Sequence, residues 1–278
     1  SCTITPKGKK EDTSGEDKTD EKDKTDGKDQ KTDDTSDGNA SSGSSSSGNS
    51  SGGTTVETPS KLTEADLLKQ GYQLKWQDNF DGNFLNRADW NVELHEKGWV
   101  NSEWQEYVDS DKNIQVKDGK LLIKPVETVN ADGTRSYTSG RINTQGKHDF
   151  KYGYFECRAK VPTGKGYLPA FWMMPLDDAY GGWAFSGEID IMEARGRVTG
   201  SVDGTIHFGN SWPNNKSRGG HYDTTIDPSF NFMQEHEYAL EWTPGKISWF
   251  VDDQCYKTIT NWYSIGSKLS AKGRQRLR

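Results

Sequence analysis

The segment Glu188-Ile189-Asp190-Ile191-Met192-Glu193 sets three carboxylates at a spacing that packing does not explain. On a regular strand alternate side chains share a face, so Glu188 and Asp190 point together. Glu193 would point the other way unless one extra residue enters as a β-bulge near Met192. With that bulge all three acids face one side of a sheet. Two carboxylates flanking a third are the minimum equipment for acid-assisted cleavage of a glycosidic bond.

A sugar cleft also needs flat apolar surfaces and partners for hydroxyls. Trp172, Trp183 and Trp212 lie near the acids in sequence, the last two among Gly, Pro, Ser and Asn. Indole faces suit the apolar faces of sugar rings. Asn101, Glu103 and Arg141 are candidate hydroxyl partners. His207, in Thr-Ile-His-Phe-Gly, reads equally as an ordinary core histidine, and Trp242 and Trp249 sit in strand-like runs where core packing is the competing reading.

The elements that must position these residues are short strands. Candidates are Gly153–Lys160, Ala170–Met174, Glu188–Glu193, Gly204–Phe208, Glu237–Trp242 and Lys246–Val251, separated by turn chemistry such as Pro244-Gly245. Asn113–Lys117 and Lys120–Lys124 form a hairpin around Asp118-Gly119. One short helix, Glu64–Gln70, is capped by Thr63. Many short strands without helical periods predict an all-β sandwich or jelly roll.

Composition divides the chain at residue 60. Residues 1–60 hold no aromatic residue, 8 Lys and 13 acids, a net charge of −5, while the whole chain carries −7. Lys/Asp/Thr repeats and the Ser/Gly run Ser41–Gly53 lack the apolar surface that would offset ordering entropy, so this stretch is expected to be a disordered tether. Residues 61–278 then form one domain, and a monomer is expected. That domain is nearly neutral, which argues against nucleic acid and highly sulfated partners. It carries no glycine-rich phosphate motif and no apolar run of about 20 residues.

Cys157 and Cys255 read as small buried hydrophobes, with a disulfide as the alternative. Cys2, followed by the polar tether, resembles the lipid-bearing cysteine of a processed bacterial lipoprotein. That reading makes Cys2 a lipid anchor, the only membrane attachment expected, and places the protein at the bacterial surface, in the periplasm or outside the cell.

Ser186–Glu193 resembles the catalytic signature of glycoside hydrolase family 16, in the bulged form typical of laminarinases. Six further segments resemble laminarinase segments in order: Asn101–Gln105, Ser139–Ile142, Gly153–Glu156, Pro169–Pro175, Ser211–Asn215 and His236–Trp242. The resemblance covers roughly residues 71 to 262. It implies a β-jelly roll whose concave inner sheet forms an open glycan cleft, with retention of configuration at the anomeric carbon. By position, Glu188 corresponds to the nucleophile, Glu193 to the general acid/base and Asp190 to the residue that tunes them. Asn101, Arg141, Trp172 and Trp183 correspond to glycone contacts, with His207 and Trp212 towards the leaving group. No cofactor is required. Two adjacent carboxylates disfavour double ionisation, so one proton is expected to stay, on Glu193.

Within the family the bulged spacing disfavours mixed-linkage lichenases but is shared by agarases and carrageenases; the flanking Trp183 region and the near-neutral domain point to β-1,3-glucan. The alternatives are mixed-linkage glucan, another polysaccharide, and a surface glucan-binding protein without turnover. Sequence does not separate hydrolysis from transfer to a sugar. Family members look to continue past the polar, basic end of this chain, with two more strands and a residue of a structural calcium site. Unpaired edges are therefore expected at the C-terminus.

Overall fold

The computed structural model describes residues 61–266 in full and the backbones of Cys2–Thr5 and Gln275–Leu277. The first elements are β1 (Cys2–Thr5), α1 (Glu64–Lys69), β2 (Trp76–Asp78), β3 (Asn91–Val92), β4 (Gln105–Tyr107), β5 (Ile114–Lys117), β6 (Lys120–Ile123), β7 (Val126–Val129), β8 (Arg135–Ser139) and β9 (Ile142–Asn143). Longer strands follow: β10 (Gly153–Lys160), β11 (Ala170–Pro175), β12 (Glu188–Glu193), β13 (Ser201–Phe208) and β14 (Lys216–Asp223). The chain ends with β15 (Glu235–Thr243), β16 (Lys246–Val251), β17 (Gln254–Ile259) and β18 (Gln275–Leu277).

Two antiparallel sheets face one another. The outer sheet has the order β17-β16-β15-β10-β1-β2, and the cleft sheet has the order β14-β13-β12-β11-β18. Between them lie Phe155, Leu240, Ile247, Trp249 and Val251 from the outer sheet against Phe171, Met173, Ile189, Ile191, Met192, Val202 and Ile206 from the cleft sheet. A second apolar cluster covers the other side of the outer sheet, where Leu62, Leu67 and Tyr72 pack on Tyr154, Ala239 and Phe250. Strands β10, β15 and β16 are thus buried on both faces. That is why Lys246–Val251 reads as a nearly unbroken apolar run rather than an alternating one.

Local signals are realised where they were strongest. Thr63 caps α1 in a capping box with Asp66. Asp118 and Gly119 both take positive φ, the geometry of a two-residue hairpin turn. The two cysteines pack on opposite faces of the outer sheet, Cys157 against the main core and Cys255 against the second cluster. A bond between them would have to pass through the sheet.

At each end of the chain the structure adds one short strand. Within residues 1–60, Cys2–Thr5 is a strand inserted between β10 and β2, its backbone supplying ladder partners to both; residues 6–60 lie outside the described residues. Near the C-terminus Gln275–Leu277 pairs with Met173–Pro175 and covers that edge of the cleft sheet. Three residues suffice because a ladder needs backbone groups, not an apolar period. Among the described residues no helix is long and apolar enough to cross a membrane.

Close packing behind the acid-bearing strand depends on one glycine. Gly204 of β13 lies between Asp203, paired with Glu193, and Thr205, paired with Asp190. A Cβ there would come within 2.4 Å of both the Trp249 ring and the Tyr256 hydroxyl. Gly204→Ala is expected to cost about 1–3 kcal/mol in denaturant unfolding, as overpacking of a filled core does. A cost below about 0.5 kcal/mol would show that the indole moves aside freely.

Candidate active site

Strand β12 carries the predicted bulge. Asp190 pairs with Thr205 and Glu193 with Asp203, so Ile191 and Met192 together oppose the single residue Gly204. On the other side Asp190 pairs with Trp172 and Met192 with Phe171. Ile189, Ile191 and Met192 all enter the core. Two consecutive core side chains return Glu193 to the face already held by Glu188 and Asp190. Behind the bulge the Trp249 indole N–H, reaching from the outer sheet, donates to the Asp190 carbonyl at 2.8 Å. The core reading of Trp249 and Trp242 therefore holds, and Trp249 also anchors the site.

The acids are electrostatically joined. Asp190 is 2% exposed. Burial, then the charge of Glu193, pushes its carboxyl well above the usual range. Burial and the neighbouring Asp190 push Glu188 up to about 7, against relief from His207 and from the Trp183 indole N–H, which donates to Oε2 of Glu188. Glu193 is raised too, chiefly by burial, with Glu188 and Asp203 adding to it and His207 and Arg195 opposing. All three carboxyls are pushed up, Glu193 among them, and Asp190 is the member with least access to water. Glu188 and Asp190 also share a hydrogen bond, so the cluster titrates as a unit.

His207 faces the cleft rather than the core. It sits opposite Glu188 in the ladder, its Nε2 3.4 Å from Oδ2 of Asp190, with the Trp183 ring 5.6 Å away. Trp183 is 38% exposed beside Glu188. Glu193 opens onto a groove of about 440 Å³ lined also by Arg195, Asp203, Thr205, His207 and Arg218.

A second group, largely missed in the sequence, lies where β3 meets β9. Val92 pairs with Ile142, which puts Glu93 opposite Arg141. Arg141 Nε donates to Oε2 of Glu93 at 3.0 Å, His95 Nε2 lies 3.0 Å from the same oxygen, and Asn143 Nδ2 donates to Oε1 at 2.7 Å. The guanidinium lies over Trp172 at 4.8 Å, Trp99 at 5.1 Å and Tyr107 at 5.5 Å. His95 stacks on Trp99 with centroids 3.4 Å apart. Trp172, the register neighbour of Asp190, joins this group to the acids. Glu103 turns to Gln105 and Tyr107. Asn101 and Trp212 are not drawn in: Asn101 occupies an exposed left-handed turn. Trp212 is 74% exposed on the loop after β13, which is tied to the Trp183 loop by an Ala184 N–H to Asn210 carbonyl bond.

The model for glycosyl hydrolases family 16 matches residues 99–270. The chain belongs to that family. It is 44% identical over 191 residues to a glucan endo-1,3-beta-glucosidase of Cryptopygus antarcticus, covering 66% of this chain and 68% of the relative. It is 45% identical over 220 residues to glucan endo-1,3-beta-glucosidase A1 of Niallia circulans, covering 74% of this chain but only 32% of that protein, so the chain spans about a third of its length. The catalytic domain of an endo-1,3-beta-glucanase (laminarinase) from Thermotoga petrophila superposes with a TM-score of 0.61 at 32% identity, over 74% of this chain and 84% of that one. The two-sheet sandwich described above is thus the jelly roll of family 16.

The calcium that family resemblance implies would draw on carboxylates, backbone carbonyls and water. Among the described residues the one group of three convergent ligand types contains a histidine. Calcium takes six to eight oxygens, so that group does not fit it, and no step below passes through calcium.

Two measurements test this electrostatic picture. Glu188 ordinarily titrates near 4.5 and is held at about 7 when folded, so the folded protein binds its proton more tightly. Stability is therefore lost as pH rises from about 4.5 through about 7. Glu188→Gln should melt at nearly the parent temperature at pH 4 and above it at pH 8, by a difference on the order of 1 kcal/mol. A gap that does not change with pH would reject the strained carboxyl cluster. Glu93→Gln leaves the Arg141 guanidinium without its buried counter-charge and is expected to lower unfolding free energy by about 2–3 kcal/mol. A change of a few tenths would mean that the aromatic faces alone hold Arg141.

Proposed function

We propose that the chain is a retaining glycoside hydrolase that cleaves internal bonds of β-1,3-glucan, with Glu188 as nucleophile and Glu193 as acid/base. The observation that carries this reading is the bulge, which turns three acids with coupled charges onto one open face. Its substrate class draws on the relatives, two of them named glucan endo-1,3-beta-glucosidases and one a laminarinase. All three carboxylates are retained, which favours turnover over glucan binding alone.

In the first step Glu193 gives its proton to the glycosidic oxygen while the Glu188 carboxylate attacks the anomeric carbon. The bond to the leaving sugar breaks and a glycosyl ester forms on Glu188. The Trp183 indole N–H keeps one Glu188 oxygen oriented, and the hydrogen bond with a protonated Asp190 moderates charge on the nucleophile. Water then enters where the leaving sugar was. Glu193, now a carboxylate, removes its proton, and attack at the same carbon frees Glu188 with net retention. Arg141, backed by Glu93, and the faces of Trp172 and Trp183 hold the glycone, and the groove beside Glu193 accepts the departing sugars. Asn101 on the glycone side and Trp212 on the leaving-group side rest on the family resemblance alone.

We read the protein as a monomer exported from a bacterial cell. We also read Cys2 as a lipid attachment point; because Cys2 already pairs with Cys157 and Asp78 in the sheet, the lipid would hold the domain itself close to the membrane.

Reducing-end release from laminarin tests the assignment. The parent chain should release sugar, and Glu188→Gln should fold yet lose at least ~10³-fold in turnover. Comparable activity in the variant removes Glu188 from the mechanism. A folded but inactive parent chain that still binds laminarin would instead favour a glucan-binding protein.

A further inference from the structure

We infer that Glu188, Asp190 and His207 form a binding site for a divalent transition metal of the zinc class, one that competes with the glycan. One ligand atom from each lies within 4.8 Å of the other two. Four-coordinate zinc holds nitrogen and carboxylate oxygen at about 2.0–2.2 Å, which makes the edge between two ligand atoms about 3.3 Å. His207 Nε2 and Asp190 Oδ2 are 3.4 Å apart, already at that spacing. The other separations are no more than 4.8 Å.

A second observation points to a cation. Oδ2 of Asp190 is buried and accepts no hydrogen bond, although the side chain is 2% exposed and aimed at His207. Without the proton that burial favours on Asp190, that oxygen would be desolvated and lack a donor, and a metal ion meets that need by taking the proton's place. Glu188 is prepared as well. Its Oε2 accepts from the Trp183 indole N–H, which orients the carboxyl, as outer partners of metal ligands do. Two carboxylates and one imidazole leave a fourth position open towards the cleft, the ligand count of exposed zinc sites.

The same groups select among ions. Calcium and magnesium prefer oxygen throughout, so the imidazole favours zinc, copper and cobalt. His207 Nδ1 is buried without an acceptor. The tautomer that frees Nε2 for a metal must place its proton there, which keeps binding modest and reversible. Occupancy would block the Glu188 carboxylate, so zinc should inhibit hydrolysis competitively. That consequence rests on the functional reading above; the binding itself does not.

The test is calorimetric titration of zinc into the tag-free full chain after removal of metals by a chelator, with cobalt absorption as a coordination readout. One saturable zinc ion per chain and a cobalt spectrum of low-coordinate form are expected. His207→Ala and His207→Gln should each weaken zinc on the order of 10–100-fold, and Glu188→Gln should weaken it likewise. The proposal is overturned by the absence of saturable binding, or by zinc affinity unchanged in folded His207 variants. Displacement of zinc by an equal concentration of calcium would overturn it too. Glu188→Gln provides the deciding comparison if the histidine variants do not fold. Because binding is read without substrate, an inactive chain that binds zinc would fail the hydrolase reading alone.

Discussion

The one-residue bulge between Asp190 and Glu193 is the constraint on which the rest of this site depends. A strand of strict period two would send Glu193 into the core and bring Met192 out to the cleft. Inserting one residue instead buries Ile191 and Met192 side by side. The core must then accept two adjacent side chains at one place, and it does so because the facing residue is Gly204. The room left by that glycine is taken by the Trp249 ring, whose N–H binds the Asp190 carbonyl. Acid geometry, glycine and indole are therefore one arrangement, and changing any one of them moves the others.

Charge is handled in two different ways a few ångströms apart. Around Arg141 a buried carboxylate meets a guanidinium, an imidazole and an amide, and its demand for donors is met. On β12 three acids crowd one another with little counter-charge, and burial raises all of them. The first arrangement holds a shape. The second stores unfavourable energy that a proton relieves, as expected where groups are tuned for proton transfer. Cores on both faces of β10, β15 and β16 supply the stability that permits such crowding.

The sequence made the centre of the molecule legible and its periphery less so. Glu188–Glu193 disclosed its bulge because three acids cannot all face a cleft without it, and Asp118-Gly119 disclosed its turn because both residues tolerate positive φ. Glu93 was hidden because β3 is two residues long and offers no period, and its partner Arg141 lies 48 residues away. Strand β14 was hidden because Lys216–Asp223 is polar and glycine-bearing, as suits a sheet edge with little core to cover. Trp249 announced burial but not its bond to Asp190, which depends on how two sheets face each other. Strands β1 and β18 rest on backbone pairing with neighbours far away in the chain, and no local pattern encodes that.

The apolar cover on the outer sheet bears on where this domain can be cut. Leu62, Leu67 and Tyr72 seal Tyr154, Ala239 and Phe250 from water, and the Tyr72 hydroxyl binds Glu241 at 2.7 Å. Yet these covering residues lie well before residue 99, where the family match begins. The folded unit is therefore wider than the stretch that the family model matches. A fragment trimmed to the match would expose an oily patch on the side away from the cleft and invite self-association. Anyone grafting this catalytic module onto another protein has to carry this cover with it, and the Cys2–Thr5 strand between β10 and β2 as well.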